Sequence, residues 1–262
     1  MTELQIFRVL PAEAWDGAGL AGRQLLIVGA CGAIGRACAL SAAERGASVV
    51  LLGRRVAALE KLYDEIEALG APQPAIYPMN LEGATPADFG DLCARIIEGC
   101  GHLDAVIYAA GRLHGLTPIE QFEPEEWLRT LQIGLNVPFL MLQSLLPALR
   151  AAEPSPLVLF MTDEPERSTE AYWGAYGVAQ AGLRALIAMV ASEWAAQGVR
   201  VLGLLPAPVA SAFRRKVFVG EAMDGLVAPA RYAELISWLI ANAPQDWSGA
   251  IVDGRQPPAA AA

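Results

Sequence analysis

The sequence is short of lysine, histidine and charge. Among 262 residues only Lys61 and Lys216 are lysines, only His102 and His114 are histidines, and charged residues make up 18%. So little charge excludes a disordered polyelectrolyte for most of the chain. The four cysteines are Cys31, Cys38, Cys93 and Cys100, and no two form a CxxC pair. With two histidines they lack the ligand spacing of a zinc site, so no metal is expected. They are also too sparse for a disulfide scaffold, which leaves a reducing, cytoplasmic compartment as the expectation. The opening MTELQIFRVLPAEAWDG has acids and a proline but no basic n-region, unlike a signal peptide. No uninterrupted apolar run reaches about 18 residues, so no transmembrane helix is expected. A formal net charge of −9 argues against nucleic acid and against an anionic membrane surface.

What the chain has is apolar patterning, with 54% hydrophobic residues. Short runs at 25–29, 48–53, 75–79, 104–109, 156–162, 199–205 and 249–252 are rich in Val, Leu and Ile and show little period-2 alternation. Strands buried on both faces of a parallel sheet look like this. Helical patterns over 33–45, 56–69, 85–99, 124–150, 175–197 and 229–243 lie between them. Gly46 and Gly70 stand where C-terminal glycine caps belong. Strand–helix alternation with right-handed crossovers gives an α/β chain: one doubly wound parallel sheet in a single domain. The expected division is a leader over 1–20, the domain over 21–255 and a frayed Pro/Ala-rich tail over 256–262. The leader either lies across the domain or is loose.

The first run leads directly into Gly29-Ala30-Cys31-Gly32-Ala33-Ile34-Gly35-Arg36 and a helix. Small residues let a backbone approach a pyrophosphate closely, while a helix N-terminus aims free N–H groups at it. Gly29 makes the turn in this reading, and Gly35 allows close helix–strand packing. Gly29, Cys31, Gly32, Ala33, Ile34 and Gly35 are the candidate phosphate cradle. The alternative is a turn that merely closes a strand–helix joint.

From about residue 20 to 255 the chain resembles the short-chain dehydrogenase/reductase family, a Rossmann-type fold. The resemblance rests on this glycine turn and on Tyr108-Ala109-Ala110-Gly111 after the fourth run. It rests equally on Tyr176 with Gln180 opening a long helix, on Pro206-Ala207-Pro208 and on the closing Asp253-Gly254. It implies that Ala109, Ala110, Gly111, Gln180, Pro206 and Val209 border a dinucleotide, with Asn80 and Leu81 beside its adenine. An acid after the second strand implies NAD in this family, whereas arginine accommodates a 2′-phosphate. Here Arg54 and Arg55 follow Gly53, so NADP(H) is favoured over NAD(H).

The resemblance breaks at the catalytic set. The family uses a Tyr, a Lys four residues on, a Ser about thirteen residues upstream and a helix Asn. This chain keeps Tyr176, but Gln180 stands for the lysine, Asp163 for the serine and Gly134 for the asparagine. Two charge changes make the pocket more negative. One unit charge at roughly 5 Å, with an effective dielectric near 20, is worth about 3 kcal/mol, or about two pKa units. Tyr176 is therefore expected to keep its proton, to serve badly as a base and still serve as an acid. The same charge opposes an alkoxide.

Candidate rescues are the Thr162 hydroxyl, Lys216 in the expected lid over 210–226, and a protonated Asp163. The catalytic candidates are thus Tyr176, Asp163, Gln180 and Thr162. His114 reads as a stray loop histidine, Cys31 as a small filler, and Cys93 with Cys100 as core. Trp173 and Tyr172 either wall a substrate or pack at a subunit contact. Broad apolar faces on 124–150 and 175–197 suggest a homodimer or homotetramer. The expected function is NADP(H)-linked hydride transfer to or from an unknown carbonyl or hydroxyl compound, with weakened or altered catalysis. The alternative is a catalytically inactive dinucleotide-binding protein, a sensor, scaffold or partner subunit.

Overall fold

The central apolar runs become strands buried on both faces, while the run at 75–79 becomes a partly exposed edge strand. A computed structural model describes residues 7–256. It contains one sheet of strands β1 (Phe7–Val9), β2 (Gln24–Val28), β3 (Ser48–Gly53), β4 (Ala75–Pro78), β5 (Ala105–Tyr108), β6 (Leu157–Met161), β7 (Arg200–Pro206) and β8 (Ile251–Gly254). Their order is β1-β8-β7-β6-β5-β2-β3-β4. Every pairing is parallel.

Alternate strand residues feed two cores. Leu25, Ile27, Ala105, Ile107, Leu157 and Leu159 point to the side covered by α1 (Ala33–Glu44) and α8 (Pro229–Asn242). Leu26, Val28, Val106, Tyr108, Val158 and Phe160 point to the other side. There α3 (Pro86–Cys100), α5 (Val137–Arg150) and α6 (Gly174–Trp194) pack. Both faces need apolar residues, which is why the runs lack polar alternation. Helix α2 (Val56–Ala68) crosses from β3 to β4. The doubly wound parallel architecture is the one the sequence implies.

One alternative is decided and one expectation needs correction. Of the two alternatives for the leader, its described residues 7–20 lie across the domain. Its β1 pairs with β8, Phe7 opposite Ile251, and Trp15 and Leu20 are buried in the core. The free edge of β8 has backbone groups to satisfy, and three leader residues satisfy them. So short a strand carries no readable periodicity. Residues 1–6, and the expected frayed tail from 257 onward, lie outside the described residues.

The stretch 124–150 is also not one regular helix. It divides into α4 (Pro124–Leu131), a π turn (Gln132–Asn136) and α5. Pro138 has no N–H for the Gly134 carbonyl, so the ladder widens there, and the Val137 amide donates to Gln132 instead. Tyr108 Oη donates to the Ile133 carbonyl at 2.5 Å, replacing the lost partner.

Pro124–Arg150 and Gly174–Gln197 are long and apolar enough to cross a membrane by length and composition alone. In this fold Met141, Leu145, Leu149, Leu183 and Ile187 of these segments are buried in the core beside the sheet. Their outer faces leave Leu128, Phe139, Val178 and Met189 exposed.

Candidate active site

The chain leaves β2 toward β3 and β4, then returns to β5 on the other side of β2. Such a switch point opens a crevice at the carboxyl ends of the two strands. The glycine turn lies there. Gly29 has φ 84°, and a Cβ on it would lie 2.8 Å from the Ala110 nitrogen. A Cβ on Gly35 would run into the Gly29 carbonyl oxygen. Only glycine lets these backbones approach so closely. Gly32 caps α1, whose first residues are Ala33, Ile34 and Gly35. The N–H groups of this first turn have no partner within the helix. The Cys31 thiol is pushed up by burial and drawn down by the Arg55 charge.

The other expected cofactor positions gather at the same end of the sheet. Ala109, Ala110 and Gly111 follow β5, Pro206 ends β7, and Val209 bridges to Val227. Asn80 follows β4 and its side chain accepts from the Glu82 amide at 3.2 Å, with Leu81 buried beside it. Arg54 and Arg55 are exposed just beyond β3, and Arg54 Nη1 stands 3.4 Å from Glu82 Oε1. Sequence reasoning missed the tie next to them. Arg112 donates to Glu82 at 2.9 Å and to Glu126 at 2.5 Å, joining the β4 end to α4. Arg112 holds the Glu126 carboxyl below its ordinary range. His114 adds Nδ1 at 3.4 Å from Glu126.

The catalytic side is built on the start of α6. A Cβ on Gly177 would lie 2.6 Å from the Arg167 carbonyl oxygen, so this glycine lets the 3-10 turn Pro165–Ser168 lie against the helix. That places Arg167 beside Tyr176. Tyr176 Oη donates to Asp163 Oδ2 at 2.9 Å. The Asp163 amide donates to Gln180 Oε1 at 3.1 Å. Arg167 Nε is 3.2 Å from Asp163 Oδ1. Arg184 donates to the Asp163 carbonyl at 3.3 Å and to Ser168 Oγ. Tyr176, Gln180 and Arg184 are four residues apart in turn, one face of α6.

Arg167 and Arg184 are the functional candidates that the sequence reading overlooked, and they correct its charge count. A guanidinium at the eighth position after Tyr176 is visible as helical spacing. Arg167, brought in by a loop, carries no such signal. The Tyr176 phenol is nevertheless raised well above the ordinary 10.0. Burial is the largest cause, the Asp163 charge and hydrogen bond come next, and both arginines pull the other way. Burial also lowers the Arg184 value.

The rescue candidates fare differently. Thr162 is buried and its hydroxyl donates to the Leu204 carbonyl at 3.1 Å, so it serves the sheet and is withdrawn as a catalytic hydroxyl. Lys216 is exposed on α7 (Ala212–Val217), with no bond to the site. Gly134 has no room for an asparagine, because a Cβ there would stand 2.7 Å from that of Ala179. Asn136 turns to Gln132 at 3.1 Å.

Aromatic rings close the site. Trp173 and Phe213 lie 5.8 Å and 5.9 Å from the Tyr176 ring. Phe218 lies 6.3 Å from Trp173, and Leu113 packs with them. Phe213 also reaches over Gly111, where a Cβ would be 3.7 Å from its ring, so this ring borders both the phenol and the loop that leaves β5 beside the glycine turn.

The family model for short chain dehydrogenase matches residues 23–222. This chain belongs to the short chain dehydrogenase family. Its similarity to the uncharacterized oxidoreductase YciK of Escherichia coli (strain K12) is 30% identity over 238 residues, 90% of this chain and 94% of that one. Two solved structures of the family share the fold with TM-scores of 0.85. One, from Escherichia coli CFT073, is complexed with NADPH, is 30% identical and covers 91% of this chain and 98% of its own. The other, from Shigella flexneri 2a str. 301, is complexed with NADP, is 29% identical and covers 89% and 97%. As a short chain dehydrogenase, the chain has a glycine cradle that fits a dinucleotide. The close backbone approach at Gly29 and Gly35 and the free amides of α1 are what a pyrophosphate needs.

Proposed function

We propose that this short chain dehydrogenase is an NADP(H)-linked reductase in which Tyr176 is the proton donor to a substrate reduced at a double-bonded carbon. The observation that carries the reading is the Tyr176–Asp163 hydrogen bond at 2.9 Å, flanked by the Phe213 ring that also packs over Gly111. The bound dinucleotide supplies the hydride. The chain's own residues do the rest. The glycine turn and α1 hold the pyrophosphate, and Gln180 stands where the family's lysine meets the nicotinamide ribose. Arg54 and Arg55 meet the 2′-phosphate, consistent with the relatives crystallised with NADP and NADPH. A phenol whose proton is held this firmly favours reduction over alcohol oxidation.

Arg54→Ala combined with Arg55→Ala is expected to weaken NADPH at least about tenfold while changing NADH little. Fluorescence titration of both cofactors measures it, and an equal loss for both would reject the 2′-phosphate role. A second reading is a cofactor-binding protein without catalysis. It is favoured by Gln180, whose side-chain oxygen is engaged with the Asp163 amide and which brings no ammonium to the phenol. NADPH binding without turnover on any double-bonded acceptor would select it.

The placement we propose is cytoplasmic, as a homodimer or homotetramer. Leu128, Phe139, Val178 and Met189, exposed on α4, α5 and α6, form its contact. Light scattering is expected to give a multiple of the chain mass, and Phe139→Glu with Met189→Glu is expected to reduce it to one chain. A wild-type monomer would end this part of the proposal.

A further inference from the structure

Beside Arg54, the arginine assigned above to the 2′-phosphate, stands a carboxylate. Arg54 Nη1 is 3.4 Å from Glu82 Oε1. The backbone that carries Glu82 is tied down. Its amide donates to Asn80 Oδ1 at 3.2 Å in the 3-10 turn Leu81–Gly83. Just beyond the turn, the Gln132 side chain donates to the Ala84 carbonyl at 3.0 Å. The Glu82 side chain is half-sheltered there, 20% exposed. An anion that takes Arg54 therefore meets this carboxylate one guanidinium away.

The same Glu82 oxygen accepts from Arg112. Arg112 Nη1 donates to Glu82 Oε1 at 2.9 Å, closer than Arg54, and Nη2 donates to Glu126 Oε2 at 2.5 Å. The Arg112 side chain is 22% exposed against 64% for Arg54, so water screens it less. Glu126 does not depend on Arg112 alone, since Arg129 Nη1 lies 3.1 Å from it and His114 Nδ1 3.4 Å. Arg112 follows Gly111 and reaches the β4 end from the loop that leaves β5. Two effects compete when a phosphate arrives at Arg54. The Arg54–Glu82 pair is exposed and long, so breaking it costs little. Repulsion between Glu82 and a phosphate dianion acts through space without contact, and it is the larger effect unless a cation faces the carboxylate.

We propose that Arg112 is a positioning residue for cofactor choice: it holds and neutralises Glu82, which leaves Arg54 free to take a 2′-phosphate. The proposal rests on the NADP(H) reading above. Arg112 acts through Glu82 and touches no cofactor itself. Without Arg112, Glu82 turns its whole charge on Arg54 and repels the phosphate dianion. A dinucleotide with a bare 2′-hydroxyl loses nothing by the change.

The test uses adenosine 2′,5′-bisphosphate against adenosine 5′-phosphate, two probes that differ by the one phosphate and carry no nicotinamide. Calorimetry on the full chain is expected to show the wild type preferring the bisphosphate. Arg112→Gln is expected to weaken the bisphosphate about tenfold, about 1.4 kcal/mol, and to change the monophosphate by less than about twofold. Glu82→Gln is expected to tighten the bisphosphate about threefold to tenfold. The double variant keeps the loss of Arg112, with any damage it does to the loop, but removes the carboxylate. It is therefore expected to recover at least the wild-type affinity for the bisphosphate. No loss in Arg112→Gln, equal weakening of both probes, or a double variant as weak as Arg112→Gln would overturn the proposal while the NADP(H) reading stands. A wild type that binds the two probes equally would sink that reading, and the proposal with it.

Discussion

Tyr176→Phe is expected to lower NADPH-dependent reduction of a proton-requiring acceptor about a hundredfold to ten-thousandfold, the usual span of general acid catalysis. NADPH affinity is expected to stay within about twofold, because the lost hydroxyl faces Asp163. The same phenol fixes the alkaline behaviour. Burial and the Asp163 charge hold its proton beyond the ordinary tyrosine value of 10.0, so the acid form persists as pH rises through neutrality. The wild-type rate is therefore expected to stay flat from pH 7 to about pH 9, with any loss from this group only above the ordinary tyrosine range. Steady-state kinetics across that range, run beside the phenylalanine variant, decide it. Equal turnover in the two proteins, or a wild-type rate falling near pH 8, removes Tyr176 as the donor.

Gly35→Val is expected to abolish measurable NADPH binding, a loss of more than about a hundredfold. The added side chain meets the Gly29 carbonyl, which is backbone and cannot swing aside. Gly29 in turn abuts Ala110, so relieving the clash pushes β5 from β2 and opens the cradle. Overpacking of this kind costs about 1–3 kcal/mol of stability, and for a domain this large about 2–4 °C of Tm per kcal/mol. The variant is thus expected to fold, melt several degrees lower and fail in the fluorescence titration. Retained affinity would show that the turn does not carry the phosphates. Complete loss of cooperative unfolding would show that its first duty is to the sheet.

Much of this molecule was readable in advance. The seven longer strands announce themselves because residues such as Leu25 and Leu26 must satisfy opposite cores, which leaves unbroken apolar runs. The Tyr176–Asp163 pairing was readable from a spacing of thirteen residues, once the chain was compared with its family pattern. Other features were not. Strand β1 has three residues, too few for a period. The π turn depends on one missing N–H at Pro138, and the pattern on either side continues as helix. Thr162 looked available as a hydroxyl, but its direction was set by the Leu204 carbonyl across the sheet. Arg167 drew no reading from the sequence, and became an active-site cation because Gly177 lets its loop touch α6.

The sequence by itself determined the alternating α/β order, the glycine cradle and the identities of the groups at the tyrosine, serine and lysine positions. Those depend on local residue types and on spacing along one chain, which a linear text preserves. Only the tertiary structure decided the charge that the phenol feels. That charge is a sum over Asp163, Arg167 and Arg184, which reach it from a strand end, a loop and a helix. Coulomb energy follows distance through space, and no order of residues in a line states that distance.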